Sequence, residues 1–99
     1  MPLFTLACRD KPESFDLRAR TRDAHLAYLA ERAGEVRLGG PWLDGEGRSV
    51  GSLVIVEAED QVAAEAFAAA DPYARAGLFE RVEVTPWRLV VGGFGEAKA

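Results

Sequence analysis

Cysteine, histidine and long hydrophobic runs are scarce in this sequence of 99 residues, and each scarcity excludes a class of protein. Cys8 is the only cysteine, so the chain forms no internal disulfide. Because Cys8 lies within an apolar run, we expect a buried hydrophobic residue rather than a reactive thiol. One cysteine and one histidine are too few for a transition-metal site built from three or four such ligands, so no metal site is expected.

Two other absences bear on where the protein resides. No segment approaches the roughly 18 uncharged apolar residues that a membrane helix needs. Residues 1–10 are too poorly flanked, and their apolar part is too short, to be a secretory signal. The sequence therefore predicts a cytoplasmic protein that has no membrane partner.

Basic residues are outnumbered by acidic ones. The chain has 12 Lys and Arg against 16 Asp and Glu, and the resulting net charge of −4 disfavours nucleic acid as a partner. Arg18 and Arg20 do not change this view, since basic side chains on a helix are usually solvated. A hydrophobic share of 48% is typical of a globular domain. We expect one domain over residues 1–91, followed by a short polar tail at 92–99.

The hydrophobic pattern predicts alternating strands and helices. Two continuous apolar runs, at 3–8 and 53–56, are typical of central strands that are buried on both faces. The glycines and proline at 39–41 are expected to end a short edge strand, and 42–51 is expected to be a loop. In chain order, the predicted strands are 3–8, 35–38, 53–56 and 79–91, and the predicted helices are 15–33, 61–70 and a single turn that begins at Asp71-Pro72.

The first predicted helix carries an apolar stripe that is expected to pack on a sheet. His25 falls at the margin of this stripe, and Arg22 falls within it, one turn earlier. Two polar side chains are thereby predicted to lie in a partly buried seam. The members of the stripe are Phe15, Ala19, Leu26, Leu29, Ala30 and Ala33.

The order β-α-β-β-α-β is that of a ferredoxin-like α+β sandwich with an antiparallel sheet, in which the first and third strands lie at the centre. Both long helices then cover one face of the sheet. The two central strands are apolar on both faces, so the other face also needs a cover. We expect a second copy of the chain to supply it, giving a homodimer packed sheet to sheet as a dimeric α/β barrel.

His25 is the one side chain whose ordinary titration lies near neutral pH, which makes it the first candidate for acid and base chemistry. Asp71 is a natural partner, because an N-cap aspartate is held rigidly and a carboxylate bonded to imidazole fixes the tautomer of the ring. Arg22 is expected to hold an anionic substrate oxygen. Tyr73 and Trp42 are candidates for the aromatic walls of a binding pocket.

Each of these residues also has a purely structural interpretation. A lone histidine at the edge of an apolar helix face is often only a hydrogen-bonded residue, and Asp71 is explained by its position as a helix cap. Arg22 fits a surface ion pair. Tyr73, Trp42 and Trp87 fit packing residues. The residue pattern by itself leaves both sets of interpretations open.

A series of motifs follows in order along the chain: Arg22-x-x-His25-Leu26-x-x-Leu29, Gly34, Gly39-Gly40-Pro41, Leu53-Val54-Ile55-Val56, Asp71-Pro72-Tyr73, Ala76-Gly77-Leu78-Phe79 and Val82-x-Val84-x-Pro86-Trp87. Together they resemble the YciI-like (YCII-related) proteins. The resemblance covers the chain from Leu3 to about Val91. It implies a ferredoxin-like fold, a dimeric α/β barrel and a His–Asp pair as the active site, which falls on His25 and Asp71.

These observations favour a small enzyme that needs no cofactor. His25 would act as general base or acid, Asp71 would orient it, and Arg22 would hold an anion, on a small aromatic or carbonyl-bearing metabolite. By analogy of fold alone, the reaction is expected to be of the lyase, isomerase or dehydrochlorinase class. The alternative is a non-catalytic dimeric module that binds a small anionic or aromatic ligand, and a purely structural dimerisation domain is a third hypothesis.

Overall fold

The computed structural model describes residues 1–94, which form four strands and three helices. The strands are β1 (Leu3–Asp10), β2 (Val36–Leu43), β3 (Ser49–Glu57) and β4 (Phe79–Trp87), and the helices are α1 (Phe15–Glu31), α2 (Gln61–Ala70) and α3 (Pro72–Arg75). Of the predicted tail, residues 92–94 follow β4 without regular structure, and 95–99 lie outside the described residues. The order of the elements confirms the predicted ferredoxin-like α+β fold.

The four strands form one antiparallel sheet in the order β2-β3-β1-β4. The central strands are β1 and β3, as their continuous apolar runs predict. Phe4 pairs with Val56, and both side chains face the helices. Leu53 pairs with Ala7, and because successive side chains alternate, this pair faces the opposite side of the sheet. We call that opposite side the outer face.

The hydrophobic core lies between the helix-facing side of the sheet and α2. Tyr28 of α1 packs at its edge, and its hydroxyl donates to the carbonyl oxygen of Phe67 at 2.9 Å. The C-terminal half of α1 therefore helps to cover the core, whereas its N-terminal half stands above β2 and β3. The buried core residues are Phe4, Leu6, Cys8, Val54, Val56, Ala58, Ala64, Phe67 and Ala68.

The second strand is longer than predicted. The prediction that residues 39–41 end it is wrong, because β2 continues to Leu43 and β3 begins at Ser49. Pro41 is tolerated since β2 is an edge strand, which pairs on one side only. Asp44 closes the short turn between the strands by accepting from the backbone N–H groups of Arg48 and Glu46, and these hydrogen bonds lower the pKa of Asp44.

The helix α1 begins at Phe15 as predicted and ends at Glu31, two residues before the predicted end. The predicted apolar stripe is not its buried face. Phe15 is 37% exposed and Leu26 is 42% exposed, whereas the buried residues of α1 are Arg18 and His25. The physical reason is that one face of α1, from Phe15 to Leu29, borders a cavity, so these apolar side chains line open space.

The two following helices have the bounds that their caps predict. Asp60 accepts from the backbone N–H of Ala63 at 2.9 Å and begins α2. Asp71 is the N-cap of α3, with Pro72 at the first helical position. Gly77 adopts a φ of +80° just after α3, a conformation that favours glycine. None of the helices within residues 1–94 has the length and apolar character of a membrane span.

Candidate active site

A cavity of about 560 Å³ lies between α1 and the two strands β2 and β3. Its volume falls in the range of roughly 300–1,000 Å³ that is usual for small-molecule sites. Gly39 lies on the β2 wall and contributes no side chain to fill the space. Much of the wall is apolar, and one part is formed by a contiguous group of polar and aromatic side chains. The apolar residues include Phe15, Leu26, Leu29, Pro41 and Val54, and the polar and aromatic group is His25, Tyr73, Arg18 and Ser52.

His25 and Asp71, 46 residues apart in the chain, are in direct contact. Nδ1 of His25 lies 2.9 Å from each carboxylate oxygen of Asp71, and both residues are only 7% exposed. An ionised carboxylate can only accept, so this pairing assigns the hydrogen to Nδ1 and leaves the lone pair of the neutral ring on Nε2. Within residues 1–94, Nε2 has no hydrogen-bond partner and is not sealed from solvent. The ring therefore presents a free proton acceptor at the cavity wall.

The local sequence explains why the carboxylate of Asp71 is held in place. Its Oδ1 also accepts from the backbone N–H of Tyr73 at 2.9 Å, as expected of an N-cap. Leu78, which is fully buried, donates its backbone N–H to the carbonyl oxygen of Tyr73 at 3.1 Å and closes the turn that follows α3. The capping role and the contact with His25 are thus compatible, since one carboxylate does both.

Tyr73 lies flat against the ring of His25. The ring centroids are 4.0 Å apart with an interplanar angle of 19°, and Tyr73 is 1% exposed. Burial raises the pKa of Tyr73, although the positive charges of Arg18 and Arg22 oppose the shift. Its hydroxyl therefore stays protonated at neutral pH and is available as a hydrogen-bond donor.

Arg18 is the candidate residue that the sequence interpretation missed. The prediction of a solvated side chain is wrong, because Arg18 is 8% exposed. Its Nε and Nη2 bond the two carboxylate oxygens of Asp10 at 2.6 and 2.9 Å, and Nη2 also donates to Oγ of Ser52 at 2.9 Å. Burial acts to lower the pKa of Arg18, but the hydrogen bonds and charge of Asp10, with a smaller contribution from Tyr73, outweigh it and raise that pKa. The helical spacing of seven residues from His25 was the available signal.

The neighbouring arginines differ from Arg18. Arg20 is exposed and pairs with Asp16 at 2.8 Å, which confirms the solvated side chain predicted for it. Arg22 is exposed, lines the cavity and forms no salt bridge within the described part of the chain. Its charge is therefore accessible to a molecule in the cavity.

Trp42 is not brought into the cavity. Alternate side chains of a strand point to opposite sides, so Pro41 faces the cavity and Trp42 faces the outer side of the sheet. There the guanidinium carbon of Arg9 lies 4.4 Å from the Trp42 ring centroid. Trp87 also lies away from the cavity, 41% exposed at the end of β4.

Cys8 belongs to the core rather than to the cavity wall. Burial raises its pKa to about 12, with the charge of Asp71 adding to the shift and that of Arg18 opposing it. A thiol that stays protonated is a poor nucleophile. Residues 1–94 contain no group of three or more His, Cys, Asp and Glu side chains arranged to hold a metal ion.

Comparison with known sequences identifies relatives along nearly the whole chain. Residues 2–88 match the family described as YCII-related domain. The chain is 41% identical over 96 residues to Protein YciI of Escherichia coli O6:H1, an alignment that covers 89% of this chain and 98% of that protein. It is 35% identical over 95 residues to an uncharacterized protein of Haemophilus influenzae, covering 88% of this chain and 97% of that one.

A solved structure extends this similarity to an enzyme. The 5-chloro-2-hydroxyhydroquinone dehydrochlorinase (TftG) of Burkholderia phenoliruptrix AC1100, in complex with 2,5-dihydroxybenzoquinone, superimposes with a TM-score of 0.82. The two sequences are 34% identical, and the match covers 87% of this chain and 93% of that chain. An antibiotic biosynthesis monooxygenase, 15% identical with a TM-score of 0.53 over 92% of this chain and 100% of that one, shares the fold alone.

Proposed function

Because this chain belongs to the YCII-related domain family, we propose that it is a small enzyme in which His25 and Asp71 transfer protons on a small hydroxylated aromatic or carbonyl-bearing compound. The reaction class that we propose is an isomerisation or the loss of a small leaving group after proton removal. The similarity to TftG, a dehydrochlorinase crystallised with a quinone, supports this class of reaction and of substrate.

One observation carries the proposal: the imidazole of His25 is held at Nδ1 by two carboxylate oxygens at 2.9 Å, and its Nε2 is free beside a cavity of ligand size. A histidine that served only to dock α1 would need one bonded nitrogen and no cavity. A general base needs the second nitrogen unbonded and within reach of a bound molecule.

The proposed chemistry assigns a separate role to each residue. Nε2 of His25 takes a proton from a hydroxyl or an acidic carbon of the substrate, and the electron pair remains on the substrate as an oxyanion conjugated with its carbonyl group. Asp71 stabilises the imidazolium that forms. In an isomerisation, Nε2 returns the proton to another atom of the substrate. In an elimination, the leaving group departs with its electron pair, and Nε2 then releases its proton to water, which regenerates the neutral ring. Arg22, which lines the cavity and is exposed, would neutralise charge on the bound anion.

Turnover of a panel of hydroxyhydroquinones, with and without a chlorine substituent, tests the proposal. Chloride release and the quinone absorbance are followed for the wild type and for His25→Gln, whose amide N–H can still donate to Asp71. We expect the variant to lose activity by roughly 10²- to 10⁴-fold while its melting temperature changes little. Arg20→Met, a change at an exposed position of the same helix, is the control.

Two results would contradict the proposal. Unchanged turnover in His25→Gln would show that the imidazole takes no part in the reaction. Binding of these compounds without any conversion would instead support the non-catalytic ligand-binding module.

We also propose that the protein is a homodimer formed through the outer face of the sheet. No described helix covers this face, and it carries partly exposed apolar side chains, among them Leu53 on the central strand β3. The other apolar side chains assigned to this face include Leu38, 37% exposed, and Trp87, 41% exposed.

The second copy is favoured as occupant because charges of both signs lie at opposite edges of the outer face. Arg37 pairs with Glu57 on one side, and Arg81 pairs with Glu83 on the other. Two copies related by a two-fold axis can exchange such pairs, as isologous interfaces require.

Light scattering after size exclusion measures the assembly. Leu53→Arg is expected to give a monomer, because it places an unpaired charge at the centre of the interface. Val62→Arg, at a position of α2 that is 72% exposed, is the matched control and should leave the dimer intact. A monomeric wild type at micromolar concentration would refute this assembly.

A further inference from the structure

The charged side chains that line the cavity are all basic, although the protein as a whole is acidic. Among the described residues that line it, three are arginines, Arg18, Arg22 and Arg48, and none is Asp or Glu. The net charge of the full chain is −4. Guanidinium groups are hydrogen-bond donors and cannot accept, so a ligand in this cavity meets donors that suit anionic oxygens. The cavity is thus suited to an anion.

The three guanidinium groups are not equivalent. Arg48 is half exposed and is already paired with Asp44 and Glu46. Arg22 is exposed and has no fixed partner in the described part of the chain. Arg18 is buried, and its side chain and that of Asp10 are only 10% and 6% exposed. A side chain that is fixed before a ligand arrives loses little conformational entropy on binding. Of the three arginines, Arg18 should therefore bind an anion at the lowest entropic cost.

The hydrogen bonds of Arg18 leave part of its guanidinium free. A guanidinium has five N–H donors, and three of them are used by Asp10 and Ser52. Because Asp10 occupies the edge formed by Nε and Nη2, the Nη1 corner points away from that carboxylate. Within residues 1–94, Nη1 donates to no acceptor at hydrogen-bond geometry and is not sealed from solvent, and the nearby Tyr73 contributes to the raised pKa of Arg18.

The free corner belongs to the same side-chain cluster as the proposed base. The guanidinium carbon of Arg18 lies 4.5 Å from the ring centroid of Tyr73, and the ring of His25 stacks on Tyr73 at 4.0 Å. A ring-shaped ligand that reaches Nε2 of His25 therefore has a guanidinium donor close by, while the apolar wall formed by residues such as Leu29 and Val54 is available to the ring face.

We propose that Arg18 binds an anionic oxygen of the substrate through Nη1. Asp10 and Ser52 are the positioning residues of Arg18. The substrate enters as an ionised hydroxyquinone or a similar vinylogous acid. The role of anion holder thereby belongs first to Arg18 rather than to Arg22. The inference rests on the proposed function for the use of the cavity, but it concerns binding and not turnover.

Calorimetric titration with two probes tests this assignment. The first is 2,5-dihydroxybenzoquinone, which is ionised at neutral pH, and the second is 2,5-dimethoxybenzoquinone, which has the same ring and no charge. The variants are Arg18→Lys, which keeps the charge without the planar fork, and the double variant Asp10→Asn/Arg18→Met, which leaves no buried carboxylate unpaired. Arg20→Met on the same helix is the control, and Arg22→Met measures the competing assignment.

We expect the double variant to weaken binding of the ionised probe by roughly 10- to 100-fold, as for a lost charge-assisted hydrogen bond. Binding of the dimethoxy probe should change by less than about threefold, a selectivity that general loss of structure would not produce. Arg18→Lys should recover part of the loss, Ser52→Ala should lower affinity for the ionised probe only, and Arg22→Met should have the smaller effect.

Several outcomes would overturn the assignment: equal losses for both probes in folded variants, a larger effect of Arg22→Met than of the Arg18 changes, or no binding of the ionised probe to the wild type. The outcome for the proposed function is separate. If His25→Gln keeps full turnover while the Arg18 variants lose affinity for the anion, the acid–base proposal fails and the anion site stands.

Discussion

Replacing Asp71 with Asn separates the two tasks of this carboxylate. The amide oxygen can still accept from the backbone N–H of Tyr73, and asparagine is as good an N-cap as aspartate. The NH₂ group, however, takes the place of an oxygen that lies 2.9 Å from Nδ1 of His25. The retained oxygen already accepts from Tyr73, and a hydrogen on Nδ1 would face the new NH₂ donor at 2.9 Å, so we expect the ring to change tautomer, with the lone pair on Nδ1 and the hydrogen on Nε2.

The magnitudes follow from the contacts that each variant keeps. Asp71→Asn retains the cap and a neutral hydrogen bond to the ring, so the free energy of unfolding should fall by only about 1 kcal/mol. Asp71→Ala removes the cap, at about 1 kcal/mol, and leaves a buried N–H without an acceptor, at about 1–3 kcal/mol, so the loss should total about 2–4 kcal/mol. Activity behaves differently, since Asp71→Asn alone should reduce turnover by roughly 10²- to 10⁴-fold.

Nitrogen NMR is a direct assay for the tautomer, because the chain contains one histidine and hence one pair of ring nitrogens. Long-range correlations from the ring carbon protons identify which nitrogen carries the hydrogen. Urea unfolding at one fixed protein concentration gives the stability. Asp60→Asn is the matched control, since Asp60 caps α2 in the same way but bonds Ala63 and not the imidazole. Full turnover in Asp71→Asn with the hydrogen now on Nε2 would refute the reasoning.

Three further predictions concern β1 and its neighbours in the sheet. The thiol of Cys8, with a pKa of about 12, should resist alkylation at pH 8 in the folded protein and react on addition of urea; rapid native-state labelling would contradict the burial described for it. The pKa of Cys8 in the folded protein lies above the ordinary value of 9.0, so the stabilisation that comes from the protonated thiol is complete below about pH 9 and is lost as the pH rises toward 12. Over that interval, the free energy of unfolding of the wild type should therefore fall more steeply than that of Cys8→Ala. Gly51→Ala should destabilise the fold by about 1–3 kcal/mol, because the added carbon would collide with the backbone carbonyl oxygen of Cys8 and lie 2.9 Å from the Trp42 ring. Gly34→Ala, where nothing lies within 4 Å of the added carbon, is the control, and equal melting temperatures for the two alanine variants would contradict the packing.

The fold was largely predictable because two segments are unambiguous in physical terms. The continuous apolar runs at 3–8 and 53–56 are typical of strands with a neighbour on each side, and this pattern predicts their position at the centre of the sheet. The bounds of β2 were not predictable in this way. Gly39 and Pro41 are strand breakers in general, and only the edge position of β2, a property of the whole sheet, makes them acceptable there.

The contact between His25 and Asp71 was predictable as a hypothesis because both residues have local signatures, one as the sole imidazole and the other as a helix cap. Arg18 has no such signature. On its own helix it resembles Arg20, and what separates them is that Asp10 at the end of β1 lies under one and not under the other. Helical spacing places residues on a face, but it does not say which charged side chain of another element that face will meet.

The manner in which α1 is docked has an evolutionary consequence. Its two buried side chains, Arg18 and His25, are ionisable and reach Asp10 and Asp71 on other elements. Most helices pack through hydrophobic side chains that can be exchanged for others of similar volume, so the binding specificity of a protein can change while its fold is kept. In this protein the two buried side chains that anchor α1 are also proposed functional groups, so a substitution that ends the chemistry would also weaken the packing of the longest helix.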